Sequence, residues 1–343
     1  MSDQPSLMRR EIDEIPDAVD RLLSLGSGDI AWVARELALR NPPCLVTVAR
    51  GSSDHICTYL KYACELVMGV PVASIGPSVA SLYDAPLRLH GCASLAVSQS
   101  GQSPDIVEMS RSAGANGALS IALTNAPGSP LTQASQFTLN IHAGPEHSVA
   151  ATKTFVASAV AGLWLIAEWR GDPELKAAIY RLPGVLERAI AIDWTPVEEA
   201  LSAANSLFTL GRGPSWAISN EAALKFKETC QVHAESYSSA EVLHGPVSIV
   251  GEGFPVICFA AADAAQAQVV ETADALADKG ARVFVTSHKA ARAMSLDHVR
   301  SDHPLTDPIS LVTTFYGLVE RVAQTRGIDP DRPRHLSKVT ETL

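Results

Sequence analysis

The chain has 343 residues, room for two domains of ordinary size that each bury a core. Its 27 basic and 37 acidic residues give a net charge of −10, a poor match to nucleic acid, and no basic run exceeds Arg9-Arg10. Met1 to Asp20 is charged throughout and no stretch approaches ~20 apolar residues, so neither a secretory leader nor a membrane span is expected in what reads as a cytoplasmic protein.

In chain order, residues 1–30 read as an N-terminal helical segment and 31–170 as a first domain. Within that domain, apolar runs of strand length fall at Cys44–Ala49, Val72–Ile75, Ser94–Ser98, Ala118–Leu123 and Phe137–Ile141. Helical patterns lie between them, near Asp54–Val67, Pro104–Ala113 and Ser148–Trp169. The alternation predicts an α/β fold, a parallel sheet flanked by crossover helices. Such sheets bind ligands at the carboxyl ends of their strands. One of those ends carries Ser98, Gln99, Ser100 and Ser103 in six residues, followed at once by Pro104. Ser before Pro is a helix-start signal, and free N–H groups ringed by hydroxyls make a cradle for an anion. The loop itself holds no Lys or Arg, which suits a phosphate ester bound by neutral donors.

Residues 171–196, with Pro173, Pro183 and Pro196 around helical stretches, read as a linker to a second domain at 197–328. That domain repeats the first. Thr47–Ser53 aligns with Thr209–Ser215, and Leu95–Ser100 with Val256–Ala261. The second copy has Ala260, Ala261 and Ala262 where the first has its serine loop, so the phosphate cradle is expected in the first copy alone. Gly211-Arg-Gly213 opens like a dinucleotide fingerprint, but position 216 is Trp and not the third glycine. No nicotinamide site is expected. The six cysteines stand singly in apolar segments, and the histidines show no metal spacing, so neither disulfide, metal nor cofactor is predicted.

Glu221, Lys225 and Glu228 are spaced to share one helix face, among Ala222, Ala223, Leu224 and Phe226. Spacing alone fits a surface ion-pair ladder, while the apolar setting fits a carboxylate that shuttles a proton between adjacent carbons. His244 lies in Leu-His-Gly-Pro, and an imidazole there is able to move a proton near neutral pH. The tail 329–343 reads from composition as a solvated terminus.

Several blocks taken together resemble the sugar-isomerase (SIS) family of phosphosugar-binding proteins, most closely the isomerase half of glucosamine-6-phosphate synthase. They are Arg50–Ser53, Ser98–Ser103, Gly144–Phe155, Leu210–Gly213, Glu221–Glu228, His233–Tyr237, Glu241–Pro246 and Arg332–Lys338. The resemblance implies two tandem SIS domains. It implies Glu228 as the isomerisation base, Lys225 as its support, and His244 as the ring-opening group, reaching the site of the neighbouring subunit of a homodimer. It also implies that the tail folds over the sugar, with Lys338 at the substrate carbonyl. Ser53 and the backbone of Val149–Ala151 would meet sugar hydroxyls. Two departures stand out: Leu243 replaces a Lys common in the family, and Ala151 stands where the synthase has Ser. Glu146 is open to two readings, a second acid in the site or a cap for the helix starting near Ser148. Position 2 is Ser, where the synthase's glutaminase has its nucleophilic Cys, so no glutamine supply is expected. These features imply a deaminase–isomerase that converts glucosamine 6-phosphate to fructose 6-phosphate and ammonia. The alternatives are a deglycase or isomerase acting on fructosamine or galactosamine 6-phosphate, and a non-enzymatic phosphosugar sensor.

Overall fold

The structure, a computed structural model, describes residues 5–338. Five parallel strands form the first sheet: β1 Leu45–Val48, β2 Val72–Ser74, β3 Ala93–Val97, β4 Leu119–Thr124 and β5 Phe137–Asn140. Their order is β2-β1-β3-β4-β5, with Leu45 opposite both Val72 and Ala93. Every residue of β1, β3 and β4 is buried. That is why they read as continuous apolar runs and not as alternating ones. Helix Ser52–Met68 follows β1, and helix Pro104–Ala115 follows β3. Helix Lys153–Arg170 is apolar almost all round and packs between helices Ser27–Arg40 and Ser52–Met68.

The second sheet contains β6 Ser206–Gly211, β7 His233–Ser238, β8 Pro255–Cys258, β9 Arg282–Val285 and β10 Met294–Ser295, all parallel. Read from its β7 edge, the order is β7-β6-β8-β9-β10, the same topology as the first sheet. The repeat extends to the backbone. Gly51, before helix Ser52–Met68, has φ 55 and ψ −134; Gly213, before helix Pro214–Cys230, has φ 60 and ψ −137. A side chain rarely tolerates that region, so both copies keep glycine at this turn. Helix Asp307–Thr325 is buried along nearly its whole length.

The chain divides into two compact units, one on each sheet. The unit on the first sheet contains Asp17–Glu146, Lys153–Tyr180 and the last described residues, Ser337 and Lys338. The unit on the second sheet contains Arg181–Leu336, the described residues up to Pro16, and His147–Thr152. The prolines of 171–196 sit at the starts of helices Pro173–Tyr180, Leu182–Ile190 and Thr195–Leu201, where a missing N–H costs nothing. Among the described residues no helix is long and apolar enough to cross a membrane.

Candidate active site

In a sheet ordered this way the chain reverses direction of travel between β1 and β3, and the loops leaving those two strands open a crevice at their carboxyl ends. Arg50–Ser53 leaves β1, and Ser98–Ser103 leaves β3. Ser98 is buried, and its hydroxyl accepts from the Gly101 N–H at 3.2 Å; the Ser100 hydroxyl accepts from the Gln102 N–H at 3.3 Å. These contacts curl the loop on itself. The carbonyl of Gln99 is anchored by the Asn125 N–H at 3.2 Å and the Thr124 hydroxyl at 3.3 Å, while its side chain remains half-buried. Ser103 holds the N-cap position, yet its hydroxyl makes no cap bond to the helix. Ser53 lies half-buried in the first turn of its own helix.

Gly101 has φ +61, and a Cβ there would meet the Ser129 hydroxyl and stand 2.7 Å from Ser129 Cβ. Gly101→Ala is therefore expected to cost at least the ~1–2 kcal/mol of a left-handed L-residue and to raise KM for a phosphosugar. A thermal melt and steady-state kinetics check it. An unchanged KM would show that the loop geometry is irrelevant to binding.

The loop carries no cation of its own, but the fold brings one beside it. Asp105, wholly buried in the first turn of helix Pro104–Ala115, takes the Arg50 Nε at 2.5 Å and pairs with Arg50 Nη2. Arg50 is half-exposed. Its signal in the sequence is its place at the end of β1, the strand next to β3.

The loop after β8 in the second sheet is tied down by the protein's own atoms. Ala262 donates its N–H to Asp307 Oδ2 at 2.8 Å, and Ser301 donates its N–H to Oδ1 at 3.0 Å. Arg300 pairs with the same buried carboxylate and also donates to the carbonyls of Ala260 at 3.0 Å and Thr286 at 2.6 Å. The buried Asp307 carboxylate thus ties the loop after β8 to Ser301 and Arg300.

On helix Pro214–Cys230, Lys225 is buried to 1% exposure, 3.3 Å from Glu221 and paired also with Glu228. Tyr316, from helix Asp307–Thr325, donates its hydroxyl to Glu221 at 3.1 Å. Burial pushes the Lys225 pKa down, but the Glu221 and Glu228 carboxylates more than offset it, and the net shift is upward. Glu221 is wholly buried, whereas Glu228 keeps 22% of its side chain exposed. The arrangement is a fixed charge chain ending in one reachable carboxylate, not a surface ladder. Tyr316 belongs to it, and nothing in local spacing links residues 95 apart in sequence.

His244 ends a 3₁₀ turn, Glu241–His244, anchored by the buried Val242 and followed by Gly245. His244 is exposed beside the half-exposed Leu243. Among the described residues no hydrogen bond or ion pair ties it to the Glu228 group. Val149 and Ala151 are half-buried in a bent segment with no regular secondary structure. The helix after them begins at Lys153, not near Ser148, because Glu146 caps it: its carboxylate accepts from the Thr154 N–H at 3.1 Å and from the Thr154 hydroxyl at 2.7 Å. The same carboxylate takes the Lys338 Nζ at 3.0 Å. Glu146 is thus both a helix cap and the anion that holds Lys338. The rest of the tail, 339–343, lies outside the described residues.

All six cysteines are free thiols, and burial pushes Cys64 and Cys230 up to about 12, which makes them inert as nucleophiles. Among the described residues no three His, Cys, Asp or Glu side chains converge to hold a metal ion.

The SIS domain family matches residues 38–167 and 200–304. Glutamine–fructose-6-phosphate aminotransferase (isomerizing) of Methanothermobacter thermautotrophicus is 31% identical over 96% of the chain and 56% of its own length. The chain spans about half the length of the curated relatives it matches. A crystal structure from Silicibacter pomeroyi, whose assignment as a phosphosugar isomerase is provisional, superposes with TM-score 0.93 at 64% identity, covering 95% of this chain and all of that one. The C-terminal domain of glucosamine-fructose-6-phosphate aminotransferase from Francisella tularensis gives TM-score 0.86 at 26% identity, covering 96% of this chain and 99% of that one.

Proposed function

Because the chain belongs to the SIS domain family, we propose that it is an aldose–ketose isomerase of phosphosugars, acting on an amino-sugar phosphate. The single observation that carries this reading is the buried Glu221–Lys225 pair presenting Glu228 as its one accessible carboxylate. The substrate proposed is glucosamine 6-phosphate. Ser98, Gln99, Ser100 and Ser103 hold the phosphate at the ends of β3 and its helix. Ser53 and the backbone of Val149–Ala151 meet sugar hydroxyls. His244 moves the proton that opens the ring, and a homodimer supplies it to the neighbouring subunit. Glu228 takes the proton from C2 and returns it at C1, which converts the amine at C2 to an imine. Water adds to that imine and ammonia leaves, giving fructose 6-phosphate. Lys338 attends the open-chain carbonyl.

Purified protein is expected to release ammonia from glucosamine 6-phosphate without glutamine, read by a coupled ammonia assay across a panel of hexosamine 6-phosphates. Release from galactosamine or fructosamine 6-phosphate alone would move the substrate assignment. Tight binding of a phosphosugar with no turnover of any panel member would replace the enzyme with a sensor.

A further inference from the structure

The short helix Leu7–Asp13 is pinned at both ends by residues from distant parts of the chain. At its start, the Asp331 carboxylate accepts from the N–H groups of Leu7 at 2.7 Å and Met8 at 2.8 Å, where an anion suits the helix dipole. Ser6 caps the same turn through Arg9 N at 2.9 Å and donates to Glu320 at 2.7 Å. Four residues into the helix stands Glu11, with 4% exposure. Its carboxylate accepts from the N–H of His147, from the N–H of Ser148 at 3.3 Å, and from the Ser148 hydroxyl. All three donors come from two adjacent residues, immediately before Val149. A buried carboxylate is costly unless its acceptors are met, and here one loop meets them. Conversely, the wholly buried Ser148 N–H finds its acceptor in Glu11.

We propose that Glu11 is the positioning residue of the Val149–Ala151 segment, and that the Leu7–Asp13 helix links that segment to the C-terminal tail through Asp331. Removing the Glu11 carboxylate takes away the acceptor shared by the His147 N–H, the Ser148 N–H and the Ser148 hydroxyl, so the segment loses that anchor. Ala150, two residues on, is itself buried, and the Ser148 hydroxyl also reaches its carbonyl at 3.0 Å, so a shift passes directly along the segment. The kinetic part of the inference rests on the reading that this segment meets the sugar. Its structural part does not.

Two measurements keep these apart. In ligand-free protein, hydrogen exchange at the Ser148–Ala151 amides is expected to lose protection in Glu11→Ala and to keep most of it in Glu11→Gln, which retains one acceptor oxygen. In steady-state kinetics, Glu11→Ala is expected to raise KM for the phosphosugar about tenfold, the equivalent of one well-made hydrogen bond. Inorganic phosphate, held by a different loop, should inhibit with its constant unchanged. Asp331→Asn should raise KM by less, and the Glu11→Ala, Asp331→Asn double variant should be no worse than Glu11→Ala alone. Unchanged exchange protection in Glu11→Ala overturns the inference. So does a phosphate inhibition constant that rises in step with KM, because that marks general damage. Lost protection with no phosphosugar turnover in the wild type would sustain the inference and sink the reaction.

Discussion

Glu228→Gln is expected to lower kcat by about 10²–10⁴-fold while KM stays near its wild-type value. The amide keeps the shape of the carboxylate and its place beside the buried Lys225, but it cannot accept the C2 proton. The reasoning depends on how unequally the two glutamates of the helix are placed. Glu221 is wholly enclosed, bonded to Tyr316 and 3.3 Å from Lys225; Glu228 reaches the surface with 22% of its side chain. Of the two, only Glu228 reaches solvent, which the proposed reaction requires of the base. Single-turnover measurement of proton exchange at C2 separates loss of this step from slow product release. Retained exchange in Glu228→Gln would transfer the base role to another residue.

Lys225→Met is expected to damage both folding and activity. The substitution keeps roughly the volume and removes the charge, which leaves the buried Glu221 carboxylate and the partly exposed Glu228 carboxylate without their shared cation. Breaking a buried ion pair by deleting one partner costs about 3–5 kcal/mol. A denaturant titration should show that loss as a lower midpoint. Adding Glu221→Gln should restore part of it, since the stranded carboxylate is then neutral. A Lys225→Met protein as stable as wild type would mean the pair is hydrated and not buried. The pH dependence has a defined sign. The folded pKa of Lys225 is raised, because the two carboxylates outweigh its burial. Its contribution to stability is therefore fully present below the ordinary lysine value of about 10.4 and is lost as pH climbs through the higher folded value. Near neutral pH this lysine is an electrostatic brace, not a proton donor.

The first sheet was legible because its central strands β1, β3 and β4 are buried on both faces. The run Ser94–Ser98 sits one residue from the observed β3, Ala93–Val97, and Cys44–Ala49 encloses β1. The repeat was legible from Thr47–Ser53 against Thr209–Ser215, since both copies need the same positive-φ glycine before the same helix. Side-chain pairings between distant elements were not legible. Arg50 meets Asp105 across 55 positions, and Tyr316 meets Glu221 across 95. Periodicity records which face of an element is buried, not what that face touches. The start of helix Lys153–Arg170 was misplaced for a related reason: Ser148–Thr152 suits a helix locally, but Glu146 caps later, at Thr154. Composition alone described the tail as a solvated end, and Lys338 entered only through family resemblance. Its ion pair with Glu146 has no trace in the tail's own residues.

The carboxylate of Asp307 lies against the Ala262 N–H; on the proposed function the loop after β3 would instead receive a phosphate from solution. The carboxylate is tethered, so it meets its position at an effective concentration fixed by the chain rather than by the cell. If the loop after β3 binds phosphate as proposed, its occupancy follows a saturation curve. A ligand stabilises what it binds, by about 2.7 kcal/mol at a hundred times its Kd. On the proposed function, metabolite supply would tune the stability of the unit on the first sheet, while the unit on the second sheet carries the Asp307 carboxylate in its own sequence.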